Sequence, residues 1–155
     1  MKGQIVFITD GSLSARLAGL TAIELARLWR TPLRAVFILD ESWSCILGDE
    51  WISASGTRTK FFRWLENELV NNAQKELARF QKLAEESGVE VETEIATGQT
   101  TRVILELAGS PRTALLVLPN PHATRPAAEA GLKFNFNTLA KKIKCPVIVG
   151  PNTRP

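Results

Sequence analysis

The stretch QIVFITDGSLSARL, residues 4–17, sets the interpretation of the whole sequence. Ile5 to Ile8 form an uninterrupted apolar run, which is typical of a strand buried on both faces of a sheet. Asp10, Gly11 and Ser12 follow as a turn signal, and helical periodicity begins at Ser14. A buried strand that leads through a tight turn into a helix predicts the first unit of an α/β domain.

The alternation of strands and helices continues along the chain. The sequence pattern predicts strands at 4–9, 33–39, 113–118 and 145–149, and helices at 14–30, 58–87, 100–108 and 137–143. Residues 89–96 alternate strictly between apolar and polar, so we expect there a strand that exposes one face at a sheet edge. No linker divides these elements, which indicates a single domain over residues 1–155.

The order of these elements predicts an α/β fold of three layers. Continuous apolar strands alternating with helices favour a parallel sheet covered on both faces. With right-handed crossovers, the sheet is an open one of five strands in the order 3-2-1-4-5, with helices on both faces. The direction of winding reverses between strands one and four, so we expect a ligand site at Asp10–Ser12 and in the loop from Pro119.

The sequence also makes local predictions for three helices. The polar residues of the first helix fall on one narrow stripe, so we expect this helix to be buried on most of its circumference; the stripe comprises Arg16, Gly19, Glu24, Arg27 and Arg30. Gly88 is suited to the residue after the long second helix, because glycine adopts the left-handed conformation readily. Thr100 is predicted to cap the third helix.

Composition limits the classes of protein that fit. The chain has 155 residues, of which 45% are hydrophobic and 23% charged, as expected for a globular domain with a sizeable core. It has no long apolar stretch that would span a membrane and no h-region of a signal peptide, so we expect a cytoplasmic protein. Cys45 and Cys145 lack metal-ligand spacing, and we expect two reduced thiols and no metal site.

The net charge of +3 is concentrated near the end of the sequence. Beyond Pro119 there is one acidic residue, Glu129, and the basic residues are Arg125, Lys133, Lys141, Lys142, Lys144 and Arg154. A basic segment of this kind suits an anionic ligand or an acidic protein partner, or is simply solvated. Nucleic acid is not expected, because no aromatic residues are interleaved with the basic ones and no helix-turn-helix or zinc-finger pattern is present.

Residues 8–41 (ITDGSLSARLAGLTAIELARLWRTPLRAVFILDE) run from a strand through an Asp-Gly-Ser turn and a helix into a second strand, and they resemble the opening of the universal stress protein family. Residues 88–108 (GVEVETEIATGQTTRVILELA) resemble its third strand and third helix, and residues 145–151 (CPVIVGP) its last strand. The resemblance implies a fold of the adenine nucleotide alpha hydrolase type, and a homodimer paired through Pro146, Val147, Ile148 and Val149.

The resemblance also implies where a nucleotide would bind. In members that bind ATP, an aspartate after the first strand and a backbone group of the second contact adenine, and these positions match Asp10 and Ile38. The phosphates are held by Gly-x2-Gly-x9-Gly-Ser/Thr after the fourth strand, because phosphate oxygens approach main-chain N–H groups closely. Here Pro119 and His122 occupy the first two glycine positions, and Leu132 and Lys133 the last pair. Proline has no N–H donor, so the sequence predicts that ATP does not bind in the family manner.

Two groups of side chains have alternative interpretations. His122, the sole histidine, is either an exposed loop residue or a general base beside Ser12 or Thr124. Arg125 and Lys133 are either solvated or meet phosphate by side-chain charge.

The aromatic residues Trp43, Trp51 and Trp64 fall in the region that runs from the second strand into the second helix, with Trp64 away from the apolar face of that helix. We expect the segment around residues 40–57 to cover Trp64, with a partner or subunit surface as the alternative.

The sequence therefore predicts a dimeric binding or regulatory module of the stress response, without catalysis or cofactor. It would bind a small ligand or a protein partner at the switch point. One alternative is an adenine-nucleotide binder for ATP or AMP, and its contacts would be Asp10, Gly11, Ser12, Ile38, Asn120, Arg125 and Lys133. The other alternative is a weak nucleotide hydrolase or phosphotransferase, which the single histidine and the lack of paired carboxylates disfavour.

Overall fold

The computed structural model describes residues 2–40, 55–123 and 134–154. The strands are β1 (Gln4–Thr9), β2 (Leu33–Asp40), β3 (Val91–Gly98), β4 (Thr113–Leu118) and β5 (Val147–Val149). The helices are α1 (Leu13–Trp29), α2 (Ser55–Glu86), α3 (Thr100–Gly109) and α4 (Phe136–Ala140), and a 3-10 turn spans Pro121–Ala123. None of the helices in these three ranges is long and apolar enough to cross a membrane.

The five strands form one parallel sheet in the order β3-β2-β1-β4-β5. The predicted strand order, with the alternating strand at one edge and the short last strand at the other, is confirmed. The winding reverses between β1 and β4, because α1 and the segment after β4 leave neighbouring strands for opposite sides of the sheet. The carboxyl ends of β1, β2 and β4 therefore surround the crevice in which this fold type holds ligands.

The residues of β1 alternate between two cores. Ile5 and Phe7 pack beneath α1 and α2 in one core, and Val6 and Ile8 pack with α3 and Leu139 of α4 in the other. The rings of Phe7 and Phe80 lie 4.7 Å apart between their centroids. Because consecutive side chains of a strand point to opposite faces, this alternation demonstrates the three predicted layers.

Helix α1 differs from the prediction, since it is not buried on most of its circumference. Leu13, Leu20 and Leu28 are 60%, 53% and 59% exposed. The buried face consists mainly of small residues, which are Ser14, Ala15, Ala18, Gly19, Ala22, Ile23 and Ala26. Gly19, predicted on the polar stripe, lies so close to the sheet that a Cβ there would stand 2.9 Å from Phe7 and Phe80. Small side chains let the helix approach the sheet closely, and hydropathy alone does not reveal that preference.

The two predicted helix boundaries have different outcomes. Gly88 lies after the end of α2 with a φ of 75°, and its N–H donates to the Glu85 carbonyl at 2.9 Å, as predicted. Thr100 was predicted as a cap, but Gln99 holds that position and its side chain makes no capping bond. Instead, the N–H and hydroxyl of Thr100 both donate to the buried carboxylate of Asp40. The carboxylate from the end of β2 thus caps α3, where the helix dipole favours a negative charge.

Candidate functional site

The turn between β1 and α1 holds Asp10 in a fixed orientation. Asp10 is 8% exposed, and its Oδ1 accepts the Ser12 N–H at 2.9 Å. The Ser12 hydroxyl in turn accepts the Ala15 N–H at 3.2 Å and so caps α1. Among the described residues, no hydrogen bond is recorded to the second carboxylate oxygen of Asp10. The turn therefore presents a buried, oriented acceptor at the edge of the crevice.

The carbonyl of Ile38 lies beside this turn. The Ile5 N–H donates to the Pro32 carbonyl, so even-numbered residues of β2 direct their backbone groups toward β1. Pairing of β1 with β2 ends at Thr9 and Phe37, while β2 continues to pair with β3 as far as Asp40. The next donor in the ladder would be the Gly11 N–H, which donates to the Thr9 hydroxyl at 3.1 Å instead. The Ile38 carbonyl is thus a second acceptor at the crevice, and its side chain is fully buried.

The described part of the loop after β4, residues 119–123, offers no comparable set of donors. Pro119 and Pro121 have no N–H group. The Asn120 N–H donates to the Ser14 hydroxyl at 2.9 Å, the His122 N–H to Asn120 Oδ1 at 2.9 Å, and the Ala123 N–H to the Asn120 carbonyl at 3.0 Å. Each backbone N–H between residues 119 and 123 is therefore already engaged within the protein.

Ser14 connects this loop to the end of β5. Its buried hydroxyl accepts from the Asn120 N–H and donates to the Pro151 carbonyl at 2.6 Å. The Asn120 amide donates to the Gly150 carbonyl at 3.3 Å. Gly150 is required by this approach, because a Cβ there would lie 2.9 Å from the Ser14 backbone and hydroxyl oxygens. The side chain of Asn120, predicted as a ligand contact, is thus used in holding the loop.

A cleft of about 640 Å³ lies between the loop after β4 and the start of α4. Its described lining residues are Asn120, Pro121, His122, Phe134, Asn135, Phe136, Asn137 and Val149. Asn135 is occupied as the cap of α4, since its side chain accepts from the N–H groups of Asn137 and Thr138. Apolar rings and amides dominate this described lining, and it contains no lysine, arginine or carboxylate. In its described part the cleft therefore offers ring surfaces and amide groups rather than lysine or arginine charges.

Glu76, a buried carboxylate that was not predicted from the sequence, links α2 to α1 next to the Asp10 turn. Glu76 is 7% exposed and accepts hydrogen bonds from Arg16 of α1 at 3.0 and 3.2 Å and from Arg79 at 2.8 and 3.2 Å. Burial disfavours the charged form, but the bonds from Arg79 and Arg16 outweigh it and hold the pKa of Glu76 below its ordinary value. A Cβ at Gly11 would lie 3.7 Å from the Glu76 side chain.

The remaining candidate residues have varied positions. Arg125, Lys133, Trp43 and Trp51 lie outside the described residues. Trp64 lies on α2, off its apolar face, and is 57% exposed. Residues 41–54, which belong to the segment expected to cover it, lie outside the described residues. His122 is exposed in the 3-10 turn. Within the described ranges, no three His, Cys, Asp or Glu side chains are grouped as a metal ion would require.

Comparison with known proteins agrees with the observed fold. The family model of the universal stress protein family matches residues 1–151. Among solved structures, the chain is similar to universal stress protein UspA from Lactobacillus plantarum, with a TM-score of 0.73 and 20% identity over 97% of this chain and 98% of that one. A search of the curated proteins finds no match.

Two further similar structures contain nucleotides. One is a universal stress protein in complex with cAMP, with a TM-score of 0.62 and 18% identity over 99% of this chain and 100% of that one. The other is the universal stress protein from Archaeoglobus fulgidus in complex with dAMP, with a TM-score of 0.62 and 20% identity over 96% and 98% of the two chains. At these identities the likeness establishes a shared fold.

Proposed function

This chain belongs to the universal stress protein family, and we propose that it is a dimeric binding and regulatory module that does not hold ATP by the family's backbone contacts. A small ligand or a protein partner would occupy the crevice between the Asp10 turn and the loop after β4. Binding there would bias the dimer or its partner, and no covalent chemistry and no cofactor are part of the proposal. The proposed location is the cytoplasm.

One observation carries the part of the proposal that concerns ATP. A triphosphate held by backbone groups needs several N–H donors that point into the crevice. In residues 119–123, two prolines have no donor and the other three N–H groups bond within the protein. Freeing any of them for a phosphate would break an internal hydrogen bond at a cost of about 1 kcal/mol each.

The two acceptors at the crevice favour a second candidate function. In it the protein recognises an adenine-containing ligand without strong contacts to its phosphates. The free oxygen of Asp10 and the Ile38 carbonyl would both accept from an exocyclic amino group. Similar structures have been solved with cAMP and dAMP, which carry such a group and a single phosphate. This candidate predicts that adenosine binds about as tightly as ATP.

Thermal unfolding with added ligand tests both candidates. ATP, AMP and adenosine, each with and without magnesium, would be titrated against the wild type and the Asp10→Ala variant. A bound ligand at a hundredfold excess over its Kd stabilises the fold by about 2.7 kcal/mol. The proposed module, which does not hold ATP by the family's backbone contacts, predicts that ATP leaves the unfolding temperature unchanged. The second candidate predicts similar shifts for AMP and adenosine that vanish in Asp10→Ala, and Asn72→Ala, exposed on α2, serves as the control.

Turnover of ATP would contradict the absence of catalysis. The same samples would be assayed for phosphate released from ATP and for labelled phosphate transferred from ATP to the protein. A rate above that of the buffer, lost in Asp10→Ala but kept in Asn72→Ala, would favour the hydrolase or phosphotransferase alternative.

The proposed dimer interface is the free edge of β5. Val147, Ile148 and Val149 are half-buried and lie at the sheet edge next to β4. The Leu116 N–H donates to the Pro146 carbonyl and the Gly150 N–H to the Leu118 carbonyl, so the odd-numbered residues direct their backbone groups outward. Apolar side chains beside unpaired backbone groups favour pairing with another strand. A second copy would supply the same strand about a two-fold axis.

Sedimentation of two matched variants tests this interface. Val147→Pro removes an outward N–H and leaves the bonds to β4 in place, because those bonds belong to Pro146, Ile148 and Gly150. Val147→Ala keeps the N–H. The proposal predicts a monomer for Val147→Pro and a dimer for Val147→Ala and the wild type. A dimer in all three would place the interface elsewhere.

A further inference from the structure

The opposite edge of the sheet, formed by β3, has a row of outward backbone groups. The Leu33 N–H donates to the Glu90 carbonyl, so even-numbered residues of this segment direct their N–H and carbonyl groups toward β2. The odd-numbered residues Val91, Thr93, Ile95 and Thr97 therefore direct theirs away from the sheet. The pairing with β2 runs without a register shift from Leu33 and Val91 to Asp40 and Gly98.

Within the described residues, this edge has few of the features that protect an edge strand. Protection usually comes from a very short strand, a proline, a bulge, a covering segment or charged side chains, above all lysine. Strand β3 has eight residues, contains no proline or lysine, and pairs in one continuous register. By contrast β5 has three residues, with Pro146 and Pro151 close to its ends. Strand β3 is thus the longer and less protected of the two edges.

A groove of about 310 Å³ runs beside this edge, between β3 and α2. Its lining residues are Gln74, Leu77, Ala78, Gln81, Thr93, Glu94 and Ile95. Thr93 and Ala78 are exposed and small, which leaves room between the helix and the strand. A strand added to β3 would place every second side chain on this side of the sheet, against Leu77, Ala78 and Ile95. Those positions suit small or branched apolar side chains.

The other side of β3 is acidic. Glu92 is exposed and Glu94 pairs with Arg34, and both project on the face away from α2. Among the described residues no ion pair is recorded for Glu92 or for the preceding Glu90. A second copy of this chain paired along β3 would bring these carboxylates against one another, which is destabilising. A strand with lysine or arginine at alternate positions would meet them with opposite charge.

We propose that the β3 edge is a docking site for an extended peptide segment of a partner protein in which basic and apolar residues alternate. The main chain of the peptide bonds to the outward groups of Thr93, Ile95 and Thr97. Its apolar side chains enter the groove beside α2, and its basic side chains meet Glu92. This site is at the other end of the sheet from β5 and apart from the crevice, so it does not depend on the proposed function.

A fluorescent, capped octapeptide of alternating lysine and valine is the probe. Its binding is compared with that of the same peptide N-methylated at every residue, which cannot donate to the ladder in either strand direction. We expect saturable binding that weakens at least about tenfold on methylation. Absence of saturable binding below about 1 mM, or equal binding of the methylated peptide, would overturn the proposal.

Two protein variants separate strand addition from general attraction of charge. Thr93→Pro removes one outward N–H and leaves pairing with β2 intact, and it should weaken binding about tenfold or more. Glu92→Lys should also weaken binding about tenfold, whereas Glu24→Lys, with the same change in net charge on the outer face of α1, should leave it within about twofold. Equal losses for the two lysine variants would indicate net charge alone and contradict the site.

Hydrogen exchange of the wild-type protein tests the same site without a substitution. In the free protein, the amides of Thr93, Ile95 and Thr97 should exchange rapidly and those of Glu92, Glu94 and Ala96 slowly. Addition of the lysine–valine peptide should protect the first set by about tenfold or more. Protection elsewhere, with the first set unchanged, would overturn the proposal.

Discussion

The two loops that border the crevice have opposite hydrogen-bonding character. The turn after β1 contains an aspartate, a glycine and a serine. Asp10 of this turn and the neighbouring Ile38 carbonyl of β2 are hydrogen-bond acceptors at the crevice. The loop after β4 contains two prolines, and its remaining N–H groups between residues 119 and 123 are bonded internally. A crevice with acceptors on one side and no spare backbone donors in the described part of the other favours ligands that donate hydrogen bonds over phosphates.

The largest expected effect concerns the bonds that hold the loop after β4. Ser14→Ala leaves the Asn120 N–H and the Pro151 carbonyl without their partner. We expect a loss of about 2–3 kcal/mol in the free energy of unfolding, measured by urea denaturation. Ser14→Cys, which keeps a weak donor and acceptor, should recover part of it. If Ser14→Ala unfolds like the wild type, the loop is not held as described and its donors are available.

A smaller effect on the free energy of unfolding is expected at Glu76, the carboxylate that links α2 to α1. Glu76→Gln keeps the shape but loses the charge that Arg16 and Arg79 bind, which should cost about 2 kcal/mol at pH 7. Its matched control is Glu106→Gln, since Glu106 pairs with Arg102 at the exposed surface of α3 and should change stability by at most about 0.5 kcal/mol.

The effect at Glu76 should depend on pH in a defined direction. The pKa of Glu76 is lowered in the folded protein, so the folded state binds this proton less readily than the unfolded chain. The stabilisation is complete above the ordinary glutamate pKa of 4.5 and is lost as the pH falls through the lower folded value. Urea denaturation of both proteins from pH 7 downward should show the difference shrinking below about pH 4.5. A difference that grows in acid would contradict the assigned charge.

The smallest expected effect is at the cap of α1. Ser12→Ala removes the acceptor of the Ala15 N–H and should cost about 1 kcal/mol, whereas Ser12→Asp, which restores a cap, should cost little. Urea denaturation measures both. A loss at Ser12 larger than that at Ser14 would reverse the comparison, because the first turn would then be the more strongly tied of the two loops.

Much of the fold could be predicted because it depends on patterns that are local in sequence. Strand order follows from the continuous apolar runs and from the strict alternation of residues 89–96. The outer face of α1 could not be predicted in this way, because its contact with the sheet requires small residues such as Gly19 and leaves leucines at the surface. Helix packing depends on side-chain size at the contact as well as on hydropathy.

The candidate site likewise has some features that could be predicted from the sequence and others that could not. The missing donors of Pro119 and Pro121 follow from the sequence alone. The engagement of the other donors does not, because Ser14 lies 106 residues from Asn120 and 137 from Pro151. Likewise Glu76 meets Arg16 across 60 residues, so its role near the first turn emerges only when α1 and α2 pack together.

The central claim is that residues 119–123, the described start of the loop after β4, give no backbone contact to a triphosphate. Its most direct test is a titration of ¹⁵N-labelled protein with ATP and magnesium, followed at the amide signals of Asn120, His122 and Ala123. We predict that these three signals do not shift while ATP reaches millimolar concentration, whether or not signals near Asp10 respond. Saturable shifts of Asn120 and His122, with ATP bound at least about tenfold more tightly than adenosine, would contradict the claim.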